Sequence, residues 1–478
     1  MATQARRGAP RDQHPGDGIS DDEARGSRHW CTTCNAQFAC RVAQHVACQS
    51  VVKRGMFVKP AGTYGIALAM VLLASGPAMA QTADRGIGVA DRARPDYDAV
   101  GQGLGSFLVY PSLTVRADAT DNYRATDTNR LADQYLTLQP EVRVASNWNR
   151  NSLKGRAFFD QSFHAELPRE NYSQYGATAD GVLDITRQSV LNANVSAGHY
   201  VESRSSLGSF RNSREPVQYE RYNAAIGAAH AFNRLILNAS VGATYTNFHD
   251  VAALDGTTID QDYRDFTVLI GTASAKYDIG GGLGLIVSGE ANKSTYSYHP
   301  GSPGFNTLTT LDRQSSGATA QGGLTFELSS LVSGSAQIGI LNRNYRDPRL
   351  KDFTGLSYSA YILWNVTPLT SLRFQAARSV EDTSSTTVAG NVRSDFSVGV
   401  DHELYRYIIL AGNLHYGSFV PNGPGIGGKE YGADANVRYL IDRHWSTTLS
   451  AGYNRRDSAS TFLRYHAATV GLAAKYAY

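Results

Sequence analysis

From about residue 107 the chain alternates between apolar and polar positions with a period of two. In residues 235–245 the apolar set is Leu235, Leu237, Ala239, Val241, Ala243 and Tyr245. Asn238, Ser240, Gly242 and Thr244 lie between them, and Ile236 is the exception. In residues 431–441, Tyr431, Ala433, Ala435, Val437, Tyr439 and Ile441 alternate with Gly432, Asp434, Asn436 and Arg438. In residues 396–404, Phe396, Val398, Val400 and Leu404 stand against Ser397, Gly399, Asp401 and Glu403. Successive side chains of a β-strand point to opposite faces, so each segment predicts a strand with one oily and one polar face. The chain ends the same way, on Val470, Leu472, Ala474, Tyr476 and Tyr478. It lacks the polar tail into which a soluble terminal strand commonly frays.

The connections separate a membrane barrel from a soluble sandwich. Short turns fall near residues 149–150, 186–187, 233–234, 280–282, 329–330, 367–368, 405–406 and 442–443. Between them lie longer polar stretches, near 118–131, 167–171, 203–218, 249–262, 299–311, 347–352, 383–389, 420–429 and 457–461. Strict alternation of short and long connections predicts 18 strands, or 16 if one hairpin is miscounted. Short periplasmic turns and longer outer loops are the habit of outer-membrane barrels. The expected fold is therefore all-β, a transmembrane antiparallel up-and-down β-barrel with both termini on the periplasmic side. Trp148, Trp364 and Trp445 each fall within a few residues of a short turn. Indole favours the bilayer interface, so these read as a periplasmic aromatic girdle.

Composition agrees. Of 478 residues, 27 are Tyr and 46 are Gly, and only 18% are charged, against about 25% in soluble domains. One apolar run, residues 64–74, follows Lys53, Arg54 and Lys59 and precedes Ala78-Met79-Ala80. It is too short to span a bilayer. Basic flank, apolar centre and small-x-small site read as a secretory signal peptide over 56–80, cut after Ala80, with Ala78 and Ala80 marking the site. Residues 1–55 hold Cys31, Cys34, Cys40 and Cys48, which are all the cysteines of the chain. Ahead of a signal peptide they read as an over-extended start or a disordered segment, since a folded zinc knuckle there would obstruct secretion. Residues 81–105 read as a periplasmic lead-in and 106–478 as the barrel. Residues 1–80 carry nine of the 45 Lys and Arg and five of the 42 Asp and Glu, leaving 36 against 37, a net −1. There is no basic face for nucleic acid.

A terminal strand ending on aromatics, here Tyr476 and Tyr478, resembles the closing strand of a bacterial outer-membrane barrel. That resemblance implies an insertion signal read by the barrel assembly machinery. The lead-in Arg94-Pro95-Asp96-Tyr97-Asp98-Ala99-Val100-Gly101 runs into Gly105-Ser106-Phe107-Leu108-Val109-Tyr110-Pro111-Ser112-Leu113. Thr120-Asp121-Asn122-Tyr123, Pro140 and Trp148-Asn149-Arg150 follow. These residues resemble the β-barrel porin type 2 family, over about 94–478. The resemblance implies an outer-membrane location, outer-membrane lipid as surroundings, and a part in exopolysaccharide export beside export components. The family pattern has a second Asp where Thr120 stands, and it brings no catalytic residues.

Chemistry would lie in the lumen. By alternation its wall should include Glu141, Arg143, Glu290, Arg373, Asp395, Asp401, Glu403, Asp434 and Arg438. Both signs occur in similar numbers, so the wall predicts a mixed-charge path in place of a one-sign ring. Gly101-x-Gly103-x-Gly105 precedes a strand instead of opening a helix, so it is no dinucleotide loop. Asp121, Asn122, Asp127 and Asn129 lack EF-hand spacing and read as a solvated loop. His164, His199, His230, His402, His415 and His466 are scattered with no obvious partners. The expectation is no catalytic site, no metal, no cofactor and no nucleic acid. The expected function is a passive conduit, first for exopolysaccharide. The alternatives are a small-solute diffusion porin and a non-conducting structural barrel.

Overall fold

The computed structural model describes residues 86–329, 331–383, 388 and 390–478. The segments read as a start region and signal peptide, with Cys31–Cys48, Ala78 and Ala80, lie outside the described residues. The strands are β1 (Gln102–Leu104), β2 (Phe107–Thr120), β3 (Asp133–Ser146), β4 (Ser152–His164), β5 (Tyr172–Asp184), β6 (Ser189–Val201), β7 (Gln218–Phe232), β8 (Leu235–Phe248), β9 (Val251–Ala252), β10 (Thr258–Ile259), β11 (Phe266–Gly280), β12 (Leu283–Tyr296), β13 (Ser315–Leu328), β14 (Val332–Tyr345), β15 (Phe353–Thr367), β16 (Thr370–Asp382), β17 (Gly390–Tyr405), β18 (Ile408–Pro421), β19 (Gly428–Leu440), β20 (Trp445–Ser458) and β21 (Tyr465–Ala477).

Strands β2–β8 and β11–β21 each pair antiparallel with their chain neighbours, and β21 returns to β2 with Ser112 opposite Ala477 and Thr120 opposite Thr469. The result is a closed 18-strand antiparallel barrel. The count is 18, not 16. Closure satisfies every edge, which a lipid environment demands because it offers no water to unpaired backbone groups. Among the described residues no helix is long and apolar enough to cross a membrane, so the strands do the crossing. Strands β9 and β10 form a small hairpin within the β8–β11 connection. Strand β1 adds to the start of β2, with Gln102 opposite Val109.

The faces follow the sequence period. On β2, Leu113 and Val115 are exposed outward while Thr114 and Asp118 are buried toward the interior. On β19 the exposed Tyr431, Val437 and Tyr439 alternate with the less exposed Asp434, Asn436 and Arg438. Exposed aliphatic and aromatic side chains on the outer wall are what a lipid-facing band requires. The short turns close where the sequence offers the right backbone. Gly280, Gly281 and Gly282 all take positive φ (103°, 65° and 80°), and a Cβ at Gly282 would run into the Glu327 carbonyl oxygen.

Every predicted turn and loop separates the expected strands, but the extracellular strand ends run further than alternation suggested. Asp118 and Thr120 belong to β2, and Val420 and Lys429 belong to β18 and β19. Above the lipid, outward positions are free to be polar, so the period-two contrast fades before the strand ends. The β12–β13 loop is anchored by its neighbour. Asp347 accepts the backbone N–H of Asp312 (2.9 Å), and Arg349 donates to the carbonyls of Thr310 (2.5 Å) and Leu308 (3.2 Å). The Arg349 guanidinium, together with the backbone N–H groups of Arg349 and Asp312, holds the Asp347 carboxyl down at about 2. The anchoring supplied by ionised Asp347 is therefore present above the ordinary value of 3.8 and is lost as pH falls toward about 2. Asp347→Asn removes that charge at every pH. At neutral pH it should speed tryptic cleavage after Arg349, and an unchanged cleavage rate would contradict the anchor.

Topology gives a second check. Leu308 is 87% exposed in the β12–β13 loop, and Arg187 is exposed in the β5–β6 turn at the other end. With Cys31, Cys34, Cys40 and Cys48 replaced by serine, Leu308→Cys in intact cells should react with a membrane-impermeant thiol reagent. Arg187→Cys should be spared. The reverse pattern would invert the barrel.

Candidate functional site: the barrel lumen

Glu141, Arg143, Glu290, Arg373, Asp395, Asp401, Glu403, Asp434 and Arg438 all stand on the face opposite the exposed apolar rows of their strands. Most are paired. Glu141 meets Arg143 (2.5 Å) and Arg156 (2.6 Å), and Arg373 meets Asp401 (2.9 Å). Arg393 binds Asp395 (2.9 Å), and Glu290 accepts from Asn292 (3.0 Å). Arg438 donates to the Ala90 carbonyl (3.1 Å), and Asp434 makes no ion pair among the described residues. The acids at 401 and 403 lie on the lumen side, as alternation places them, but do not face open water. Asp401 is fully buried beside Arg373, and Glu403 is held by Arg94 (2.8 Å).

The wall divides into two arcs. On β2–β4 and β16–β20 it carries ion pairs, including Arg116–Asp118 (2.6 Å) and the chain Arg393–Glu430–Arg456 (2.5 and 2.7 Å). On β5–β8 and β11–β15 hydroxyls and amides dominate. Asn223 donates to Asn194 (2.9 Å), Thr244 donates to Asn223 (3.0 Å), and Ser240 meets Thr272 (2.6 Å). Gln321 donates to Ser357 (2.7 Å), and Ser288 donates to Gln337 (2.7 Å). Cross-strand register places these partners side by side or diagonally on one face.

Chain segments sit in both ends. The lead-in, read as periplasmic, folds back into the periplasmic mouth. Val89 is wholly buried and its N–H donates to Ser371 Oγ (2.7 Å). Asn365 donates to the Ile87 carbonyl (3.3 Å). Arg94 ties the segment to itself through the Val89 carbonyl (2.8 Å) and to the wall through Glu403. Gly101 then turns the chain out with φ of 76°, and a Cβ there would lie 2.5 Å from the Tyr110 ring. That closeness explains a glycine at the last position of the Arg94–Gly101 motif.

At the extracellular end the β6–β7 loop, residues 202–217, crosses to the far rim. Arg211 donates to the carbonyls of Leu463 and Arg464 (both 3.3 Å), and Arg456 donates to the Ser205 carbonyl (2.5 Å). Its base is fixed by the buried pair Arg204–Glu170 (2.9 Å), with Arg124 also on Glu170 (2.8 Å). Alternation missed Arg393, Glu430 and Arg456, because two of them lie near strand ends read as loop borders. Their shared face with Asp395 and Asp434 is the signal that could have found them. In the β2–β3 loop, Asp121 pairs with Arg130 and Asp127 with Arg464, so the oxygens there serve arginines. Asn122 is buried and donates to the carbonyls of Thr126 (2.7 Å) and His466 (2.8 Å).

Trp148, Trp364 and Trp445 are exposed at the periplasmic end of the outer wall. Trp445 packs edge-on against Tyr476 (5.1 Å), and the Tyr478 N–H donates to the Pro111 carbonyl (3.0 Å). The chain's last strand is thus stitched to the first.

A closed 18-strand barrel with an apolar outer wall and a polar lumen defines an outer-membrane β-barrel channel. The chain belongs to the family described as "Putative beta-barrel porin 2", whose profile matches residues 94–478. It resides in the bacterial outer membrane. Its fold is similar to that of Pseudomonas aeruginosa OpdK, solved with vanillate, at 12% identity and a TM-score of 0.39 over 77% of this chain and 98% of that one. P. aeruginosa OccK2 (OpdF), solved with glucuronate, gives 12% identity and 0.41 over 77% and 97%. A BenF-like porin from Pseudomonas fluorescens Pf-5 gives 12% and 0.40 over 77% and 99%. No curated protein matches the sequence.

Proposed function

We propose that the protein is a passive channel for carbohydrate, acting as a conduit in exopolysaccharide export. The observation that carries this reading is the hydroxyl- and amide-rich arc of the lumen wall, where Asn194, Asn223, Gln321, Gln337, Ser240, Ser288 and Ser357 stand among a few charges such as Asp180, Glu290 and Arg343. Such groups exchange hydrogen bonds with sugar hydroxyls at little cost, because each is as well satisfied by a hydroxyl as by water. Barrels of 16–18 strands leave room for an aqueous bore. The facing arc of paired charges hydrates the bore without a one-sign ring that would hold or reject an anionic polymer. Movement down a gradient needs neither cofactor nor catalytic group.

A second reading, a diffusion porin for small solutes, is favoured by the segments seated in both mouths, which narrow the bore. Deleting the gene separates the two. The conduit reading expects polymer synthesis to continue and polymer to collect inside the envelope. Normal surface polymer in the deletion strain, with free flux of small sugars through the purified protein in liposomes, would overturn it in favour of the porin.

A further inference from the structure

The histidines that looked scattered in the sequence are not all so in space. On the outer wall near the extracellular rim, the register sets Tyr175 of β5 opposite His199 of β6, His199 opposite Glu220 of β7, and Glu220 opposite Asn247 of β8. His249 follows two residues after Asn247 and turns toward the same carboxylate. His199 Nδ1 lies 3.2 Å and His249 Nε2 lies 2.6 Å from Glu220 Oε1. One ligand atom from each of the three falls within 4.8 Å of the others. We propose that His199, Glu220 and His249 form a binding site for a divalent transition-metal cation, of which Zn²⁺ is the representative.

Three features support a cation over a simple hydrogen-bonded trio. First, His199 has an acceptor at each ring nitrogen, Gln218 Oε1 3.1 Å from Nε2 and Glu220 Oε1 3.2 Å from Nδ1. In the neutral ring with its proton on Nε2, Nδ1 presents a lone pair to the carboxylate, an arrangement that a cation bound by both satisfies. Second, the group that orients His199 is a protein oxygen behind the ring that accepts from its other nitrogen, the arrangement that fixes metal-ligating imidazoles elsewhere. Glu220 is oriented likewise, with Asn247 Nδ2 donating to its Oε2 (3.2 Å). Tyr175 stacks on the His199 ring (5.3 Å), and the two imidazoles meet edge to face (5.9 Å). Third, two imidazoles and a carboxylate are the ligand set of open zinc sites, which leave a fourth position to water. Copper and nickel would also suit these donors.

The ligands come from three consecutive strands or their ends, and His249 opens the 249–265 loop. A bound ion would cross-link β6, β7 and the start of that loop at the rim. Because the unfolded chain offers no such constellation, binding would raise the barrel's resistance to unfolding.

The test uses untagged protein purified in a zwitterionic detergent, with any thiols alkylated so that Cys31, Cys34, Cys40 and Cys48 bind nothing. Titration with ZnCl₂ should show one equivalent bound with a Kd well below millimolar. Zinc should raise the temperature at which the barrel loses its compact form on a gel, and EDTA should reverse the shift. His199→Gln and Glu220→Gln should lose that equivalent and the shift while keeping the compact form at low temperature. His402→Gln, on a distant strand, should keep both. Wild-type protein that takes up no zinc, or that binds it as well as His199→Gln does, would overturn the proposal and leave a hydrogen-bonded trio.

Discussion

Arg94→Met is expected to raise single-channel conductance and open-channel noise sharply. Arg94 is almost fully buried, and its guanidinium joins Glu403 on the wall to the Val89 carbonyl in the lead-in. Removing it leaves the Glu403 carboxylate without that partner and removes the brace of the residue 89–94 turn. Breaking a buried pair on one side costs about 3–5 kcal/mol. Applied to the seated state of the lead-in, that is a shift of more than about a hundredfold toward release. The barrel should be unaffected, since its strands close without the lead-in. Removing residues 86–98 altogether should give the same enlarged conductance. Conductance unchanged in both variants would mean that the lead-in does not limit the bore.

Val437→Arg should destabilise the barrel by roughly 2–4 kcal/mol, the cost of a cation on the lipid face near the bilayer midplane. Val437 is exposed on the outer wall between Leu410 of β18 and Leu449 of β20, an aliphatic row across three strands. Asn436→Arg, one residue away, should cost far less. Asn436 lies between Ala411 and Ser450 on the lumen face, where a new guanidinium stays hydrated. Folding into lipid vesicles in urea measures both. Equal losses would mean that the two faces are exchanged or that the segment is not in lipid.

The barrel was legible because each strand repeats one local rule. Leu235 to Tyr245 and Tyr431 to Ile441 declare their oily face in eleven residues each, and Gly280–Gly282 declares a turn. The lumen positions of Asp401 and Arg438 follow from the same period. What they touch does not. Glu403 meets Arg94 across 309 positions of sequence, and no local pattern links them. Alternation places Asp401 on the lumen side of its strand but does not give the depth at which it is covered, and it is fully buried. His199 and Glu220 are 21 residues apart and become neighbours only through the exact pairing of β6 with β7. Register depends on the length of the 202–217 loop between them, which sequence alone left uncertain by a few residues.

Planar-bilayer recording of the purified protein tests the central claim most directly, that the polar lumen is a water-filled passage narrowed at its ends. The account predicts discrete conductance steps with a reversal potential near zero in a salt gradient. Paired charges such as Arg373–Asp401 and Arg116–Asp118 cancel beyond a Debye length of about 8 Å, so neither ion sign is strongly preferred. The steps should grow when residues 86–98 are removed. A bilayer that stays silent at all voltages, for the whole protein and for the form without the lead-in, would contradict the claim.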